Sequence, residues 1–274
     1  MEINLSIDPE LVRKILTEFI RSEITRVGFS RAVVNVSGGV DSAVSFALSA
    51  EALGPKNVLA IRLPYKTSSA DSLEHAQTLI DQFGCPSVTI PITDMADPLI
   101  AREPGMSEIR KGNIMARARM IVAYDQSETF KGLVVGTGNK TEILLGYTTL
   151  YGDSACALNP IGDLYKTQVR QMAGALGIPE KIIAKPPSAD LWTGQTDEGE
   201  LGFTYAEVDK LLYLLVDQRY RPEECVEAGF DEKFVRQIFE RVRKNHFKRI
   251  MPPIAKLSSR TVGYDFLYLR DWGT

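Results

Sequence analysis

Ala32-Val33-Val34-Asn35-Val36 runs directly into Ser37-Gly38-Gly39-Val40-Asp41-Ser42, and the apolar-periodic stretch Ala43 to Leu53 follows. The order is strand, tight turn, helix. Such a turn aims several backbone N–H groups and the positive end of a helix dipole at one point. Paired glycines let a bulky anion approach the main chain where a Cβ would block it. The hydroxyls of Ser37 and Ser42 add donors, Val40 belongs to the same loop, and Asp41 is placed to hold a divalent cation against bound phosphates. The stretch therefore reads as a polyphosphate site. The plainer alternative is an Asp-capped turn, but a cap requires neither both glycines nor both serines.

Two common phosphate loops are excluded. A Walker A loop needs Lys-Ser/Thr after its last glycine, and Val40-Asp41-Ser42 stands there instead. The dinucleotide fingerprint G-x-G-x-x-G is absent from this turn.

The rest of the chain supplies the setting. An amphipathic helix is predicted over 9–27. Strand 32–36 then leads to helix 41–53, and strand 58–63 to helix 69–83. Strand 87–90 is followed by a loop and a long helix at about 107–129, and strand 133–135 by a helix from about Lys140. This alternation predicts an α/β, doubly wound, mostly parallel sheet with helices on both faces. Ligands of such sheets bind beyond the carboxyl ends of the strands, where the Ser37 loop lies. The C-terminal third reads as mainly helical, at 165–176, 178–184, 205–216, 222–228 and 231–246. The Pro-, Gly- and acid-rich segment 186–202 between them is expected to be a long substrate loop or a plain surface loop.

Bulk composition narrows the function classes. With 274 residues, 44% hydrophobic and 24% charged, the chain can bury a full core. A net charge of -3 gives no bulk basic field for nucleic acid or anionic lipid. No apolar run approaches the ~20 residues of a membrane span, and Met1-Glu2-Ile3-Asn4 lacks signal-peptide character. A cytoplasmic location is expected. Cys85, Cys156 and Cys225 are widely spaced, suggesting neither a disulfide framework nor a zinc site. His75 and His246 sit in helical patterns and read as surface residues.

A second string, Val135-Gly136-Thr137-Gly138-Asn139-Lys140-Thr141-Glu142, again turns a strand end into a helix with small residues, a hydroxyl and an acid. It places Glu142 to share a metal with Asp41, and Thr137 to contact a nucleotide. Glu142 in a first helical turn is also good dipole chemistry.

The SGGxDS string resembles the pyrophosphate loop of the N-type ATP pyrophosphatases, the PP-loop superfamily. Further strings follow in order: Arg62-Leu63-Pro64, Lys111 to Met120, 136–142, Tyr151-Gly152-Asp153, Asp163 to Gln168, Lys185 to Leu191, Asp197 to Gly202 and Lys248-Arg249. Together they are similar to the ammonia-dependent NAD synthetases over nearly the whole chain. The resemblance implies an adenine nucleotide alpha hydrolase-like fold and a single domain over 1–274. Its α/β core would span about 28–165 and its helical part about 165–274. It implies ATP-dependent amidation of deamido-NAD with ammonia, through a substrate adenylate, giving NAD, AMP and pyrophosphate.

By position, Asp41 and Glu142 would bind Mg²⁺. The loop 37–42, Arg62, Thr137, Lys166 and Ser188 would contact ATP, while Arg117 and Lys248 would contact deamido-NAD. Lys166 and Asp153 would be catalytic, Asp153 by orienting or deprotonating ammonium. A homodimer is implied, with nitrogen from free ammonia or a separate amidase subunit. From residue type alone, Arg117 and Lys166 are equally readable as solvated charges and Asp153 as a turn residue. Leu150, Ala157 and Phe247 stand where the family pattern carries polar residues, so the departures gather at recognition of the dinucleotide. The competing readings are another N-type ATP pyrophosphatase with a different carboxylate or carbonyl substrate, and a nucleotide-binding module without catalysis.

Overall fold

The computed structural model describes residues 3–188 and 196–267. The N-terminal helix α1 (Pro9–Arg26) starts where Asp8 accepts the Glu10 and Leu11 N–H groups, with Pro9 in the first turn. Then follow β1 (Ala32–Asn35), α2 (Val40–Leu53), β2 (Val58–Arg62), α3 (Ala70–Phe83) and β3 (Ser87–Thr89). Next come α4 (Thr93–Ile100), α5 (Glu108–Phe130), β4 (Leu133–Val135) and α6 (Lys140–Leu145). The remainder is helical: α7 (Lys166–Ala175), α8 (Glu180–Ile183), α9 (Asp197–Leu201), α10 (Tyr205–Leu212), α11 (Pro222–Glu227) and α12 (Glu232–Lys244).

The four strands form one parallel sheet in the order β3-β2-β1-β4. Side chains alternate across it as the pleat requires. Val34, Ala60 and Val135 face one core with Ile24 of α1, Phe46 of α2 and Leu79 of α3. Val33, Ile61 and Val134 face the other, against Ala96 of α4 and Met115 and Val122 of α5. Both faces are covered, as the continuous apolar strands demanded. A third core, built on Tyr205, Leu211 and Ile238, holds the C-terminal helices together.

This winding decides where a ligand can sit. From β1 the chain steps outward to β2 and β3 with α2 and α3 on one face. It then returns under the sheet through α4 and α5 to lay β4 on the other side of β1. The direction reverses between β1 and β4, and a crevice opens beyond their carboxyl ends. Both glycine-rich strings emerge there.

The structure differs from the sequence reading in three places. The loop expected after β3 contains α4, whose Pro98 is a breaker signal at the level of sequence. Its apolar residues bury Ala96 against the sheet, and packing overrides the local signal. Within 186–202, residues Asp197–Leu201 form α9, capped by the Thr196 side chain and closed by Gly202 at φ 80°. Residues 189–195 of that segment lie outside the described residues. The helix predicted over 205–216 continues beyond α10 as a π-helical turn at Tyr213–Asp217.

Candidate active site

Gly38 adopts φ +81°, and a Cβ there would lie 2.2 Å from the Ser72 carbonyl oxygen. The first glycine is thus fixed by the turn itself and by α3 behind it. Gly39, with φ −92°, is the N-cap of α2, and a Cβ there would meet only Ser37 Oγ at 3.5 Å, so its missing side chain leaves room for a ligand. Ser42, almost fully buried, braces the loop: its hydroxyl donates to the Gly39 carbonyl (2.9 Å) and accepts the Ser37 N–H (3.2 Å). The Ser42 hydroxyl is therefore engaged within the loop, while Ser37 is exposed at its rim.

Asp41 points from the first turn of α2 towards β4. Its Oδ1 accepts the Asn139 side-chain N–H at 2.8 Å and its Oδ2 lies 2.5 Å from Lys166 Nζ. Asn139 is fully buried and forms a capping box with Glu142. Glu142 Oε1 lies 3.0 Å from the same Lys166 ammonium. Two acids that the sequence paired therefore converge, with a lysine between them. Burial alone would lower the Lys166 ammonium, but the facing Asp41 and Glu142 carboxylates more than reverse this and hold it above the ordinary lysine range. Burial pushes the Glu142 carboxyl up; the Lys166 charge opposes this and the Asp41 charge adds to it.

Lys166 is 2% exposed, which removes the reading of it as a surface lysine. Its stem passes Tyr205, whose ring centre is 5.0 Å from the ammonium.

These groups line one cleft of about 770 Å³ at the carboxyl ends of β1, β2 and β4, within the range of small-molecule sites. Ser37, Gly39, Val40, Asp41 and Ser42 form one wall. Arg62, Thr137, Ser188, Asp153 and Lys248 also face it. Arg62 is tethered by Gln77 Oε1 at 2.5 Å, while its Nε is buried without a partner.

Asp153 closes its own turn by accepting the Thr149 N–H at 2.7 Å, and it also lines the cleft. Its surface is open to the cleft, yet surrounding protein desolvates the carboxyl and pushes it up, against the pull of Thr149. Lys248 donates to the Gly146 (2.7 Å) and Thr148 (2.8 Å) carbonyls and so braces the loop below the cleft.

Arg117 is placed elsewhere. It is exposed, lies outside the cleft lining and donates to the Leu150 carbonyl at 3.2 Å. The α5 arginine that does face the cleft is Arg119, two residues on, donating to the Leu63 carbonyl at 3.0 Å. Helical phase could have flagged it, since Arg117 and Arg119 lie about 200° apart around a helix.

Three more charged groups were missed, among them Arg241, which lines the cleft. Lys185 Nζ donates to Ser72 Oγ at 2.7 Å, beside the backbone that Gly38 packs on, and lines the cleft. Asp197, almost fully buried, accepts from Tyr147 and Tyr205, both at 3.2 Å, behind Lys166. Lys185 and Asp197 stood in quoted strings without a role, because residue type alone does not give direction.

Comparison with known proteins identifies the family. The NAD synthase family model matches residues 12–252. This chain belongs to the NAD synthase family. The NH(3)-dependent NAD(+) synthetase of Trichlorobacter lovleyi is 54% identical over 269 residues, covering 98% of both chains. A solved NH3-dependent NAD synthetase from Campylobacter jejuni superposes with a TM-score of 0.78 at 32% identity, over 91% of this chain and all of that one. The NMN synthetase structure from Francisella tularensis gives 0.82 at 28% identity, over 92% of this chain and all of that one.

As in other NAD synthases, the chain is an α/β protein of the pyrophosphate-loop type. No helix among the described residues is long and apolar enough to cross a membrane.

Proposed function

We propose that this chain is an ammonia-dependent, AMP-forming C–N ligase that converts deamido-NAD to NAD, with ATP as co-substrate. The observation that carries it is the Asp41–Lys166–Glu142 cluster, set over the Gly38-Gly39 turn at the switch point of the sheet. A carboxylate is a poor electrophile, so one of its oxygens first attacks the α-phosphorus of ATP. The bond to the β-phosphate oxygen breaks and pyrophosphate leaves. Ammonia then attacks the acyl carbon, the bond to AMP breaks, and the amide forms.

Lys166 supports charge on the crowded phosphorus, as a buried cation can do far better than one in water. The Gly39 turn, Ser37 and Thr137 receive the nucleotide, Arg62 and Ser188 hold it from the far wall, and Lys185 adds a second cation at the loop. Asp153 orients ammonium or takes its proton, and Lys248 steadies the wall that meets the dinucleotide. Arg117, outside the cleft, would meet the dinucleotide only where the ligand or a second subunit extends past Leu150.

Mg²⁺ fits the donor set. Magnesium is commonly held by one or two carboxylates together with substrate phosphates, and in this structure a cation, the Lys166 ammonium, already bridges Asp41 and Glu142. Among the described residues no larger cluster of metal-ligating side chains competes. Mg²⁺ held there would neutralise phosphate charge.

A homodimer accords with Ile109, Ile121 and Tyr124 exposed along α5. A cytoplasmic location and ammonia from solution or from a separate amidase complete the reading. Likeness to an NMN synthetase, with Leu150 and Ala157 apolar, makes a mononucleotide carboxylate the competing substrate. Purified protein with ATP, Mg²⁺, ammonium and either nucleotide decides the matter. NAD and AMP in equal amounts, with deamido-NAD the better substrate by kcat/KM, is the expected result; ADP as product would overturn the assignment.

A further inference from the structure

Asp209, on α10, is fully buried and serves two helices other than its own. Its Oδ1 accepts the Thr141 hydroxyl at 2.6 Å and its Oδ2 accepts the Thr167 N–H at 2.8 Å. Thr141 Oγ1, also fully buried, in turn accepts the Lys166 N–H at 3.0 Å. The Lys166 and Thr167 N–H groups open α7 and have no carbonyl partner within that helix. Such groups are usually capped by the residue just before the helix. Here that residue, Tyr165, sends its phenol away to Asp217 at 2.8 Å. The cap of α7 is instead supplied by α6 and α10.

The direction of each bond is fixed. The Thr141 oxygen is used as acceptor by Lys166, so its single proton goes to Asp209. A negative charge beside the start of α7 also suits the helix dipole. The two residues tied together are sequence neighbours of the cluster: Thr141 precedes Glu142, and the Lys166 N–H belongs to the lysine itself. A buried carboxylate and hydroxyl are costly to desolvate, and apolar side chains of similar volume would serve packing alone at least as well.

We propose that Asp209, acting through Thr141, is a positioning residue for the ligase reaction. It sets the spacing of α6 and α7, and thereby aims the Lys166 ammonium beside Glu142 towards the phosphates. The proposal rests on the role given to Lys166 above.

Thr141→Val keeps the shape and removes the hydroxyl, whereas Thr141→Ser keeps the hydroxyl. The test compares both with wild type for kcat, KM for ATP and deamido-NAD, the ATP–pyrophosphate exchange rate, and thermal stability. Expected is a fall of at least tenfold in kcat and exchange for Thr141→Val, KM for ATP within about twofold of wild type, and Thr141→Ser within about threefold throughout. Asp209→Asn, which can accept from only one of the two donors without orphaning the other, should show the same split. If Thr141→Val does not fold, Asp209→Asn and Thr141→Ser are judged by these criteria.

Wild-type kcat in folded Thr141→Val, equal loss in the serine variant, or a change in stability alone would overturn the proposal. A wild-type protein that makes no AMP would overturn the functional reading and take this one with it. An active wild type matched by Thr141→Val would overturn this inference alone.

Discussion

Lys166 Nζ lies 2.5 Å from Asp41 Oδ2, although 125 residues separate the two along the chain. The same ammonium is 3.0 Å from Glu142. One cation thus holds together two strand-to-helix turns and occupies the place where both acids would offer themselves to a metal.

Replacing Lys166 by Met should therefore act twice. Loss of a preorganised cation at developing phosphate charge is worth about 3–4 kcal/mol, or 10²- to 10³-fold in kcat. AMP release measures this, and undiminished turnover would remove Lys166 from the chemistry. Breaking the ion pair should also destabilise the nucleotide-free protein, by less than the roughly 3–5 kcal/mol of a closed buried pair, since both carboxylates open on the cleft.

Magnesium should bind differently to the two proteins. In wild type without nucleotide, Lys166 already satisfies both acids, so a chelator should leave the melting temperature unchanged. In Lys166→Met the two carboxylates face each other without a cation, and added Mg²⁺ should raise the melting temperature. Titration calorimetry without ATP checks this; equal Mg²⁺ affinity in both proteins would refute it. In the active enzyme, Glu142→Gln should raise the Mg²⁺ concentration needed for half-maximal rate.

The two loop glycines should separate cleanly. Gly38→Ala forces an L-residue to positive φ and drives its Cβ against the Ser72 carbonyl, a loss of stability of about 1–3 kcal/mol from the backbone alone. Gly39→Ala meets nothing closer than Ser37 Oγ at 3.5 Å and should fold normally. Its Cβ stands where phosphate approaches, so KM for ATP should rise at least tenfold. Denaturant unfolding and steady-state kinetics read the two effects separately.

His75 supplies a pH test away from the chemistry. Its ring is half-buried, with Nδ1 unpartnered. Burial, then the Lys185 and Lys181 charges, hold the imidazole below its usual value of 6.5. A histidine depressed in the fold stabilises above its unfolded value, and that contribution is lost as pH falls through the folded one. Stability should therefore drop from pH 7 towards pH 5, and His75→Gln should flatten that drop. Parallel slopes for the two proteins would show the effect lies elsewhere.

Much of this protein was legible in its residues taken in order. Strand Ala32–Asn35 and the Gly38-Gly39 turn announced a strand-turn-helix unit, because strand periodicity and glycine backbone freedom are local properties. The same held for the Asn139–Glu142 helix start, whose capping box is written within four residues. The segment after β3 reads as a loop, yet α4 forms there despite Pro98, because burial of Ala96, a tertiary gain, outweighs a local breaker. His75 read as a surface residue because the helix that carries it does not disclose α8 and Lys185 beside it.

Direction was what the chain order withheld. Arg117 and Arg119 share one helix and one charge, yet α5 packs so that only Arg119 meets the cleft. Lys166 became a buried cation, rather than a solvated one, only when α7 docked between the turns carrying Asp41 and Glu142. Local sequence set which groups could bind phosphate, since backbone conformation and residue chemistry act over a few residues. Which groups meet was decided by helix packing against the sheet and by Asp209, because those contacts join residues far apart in the chain.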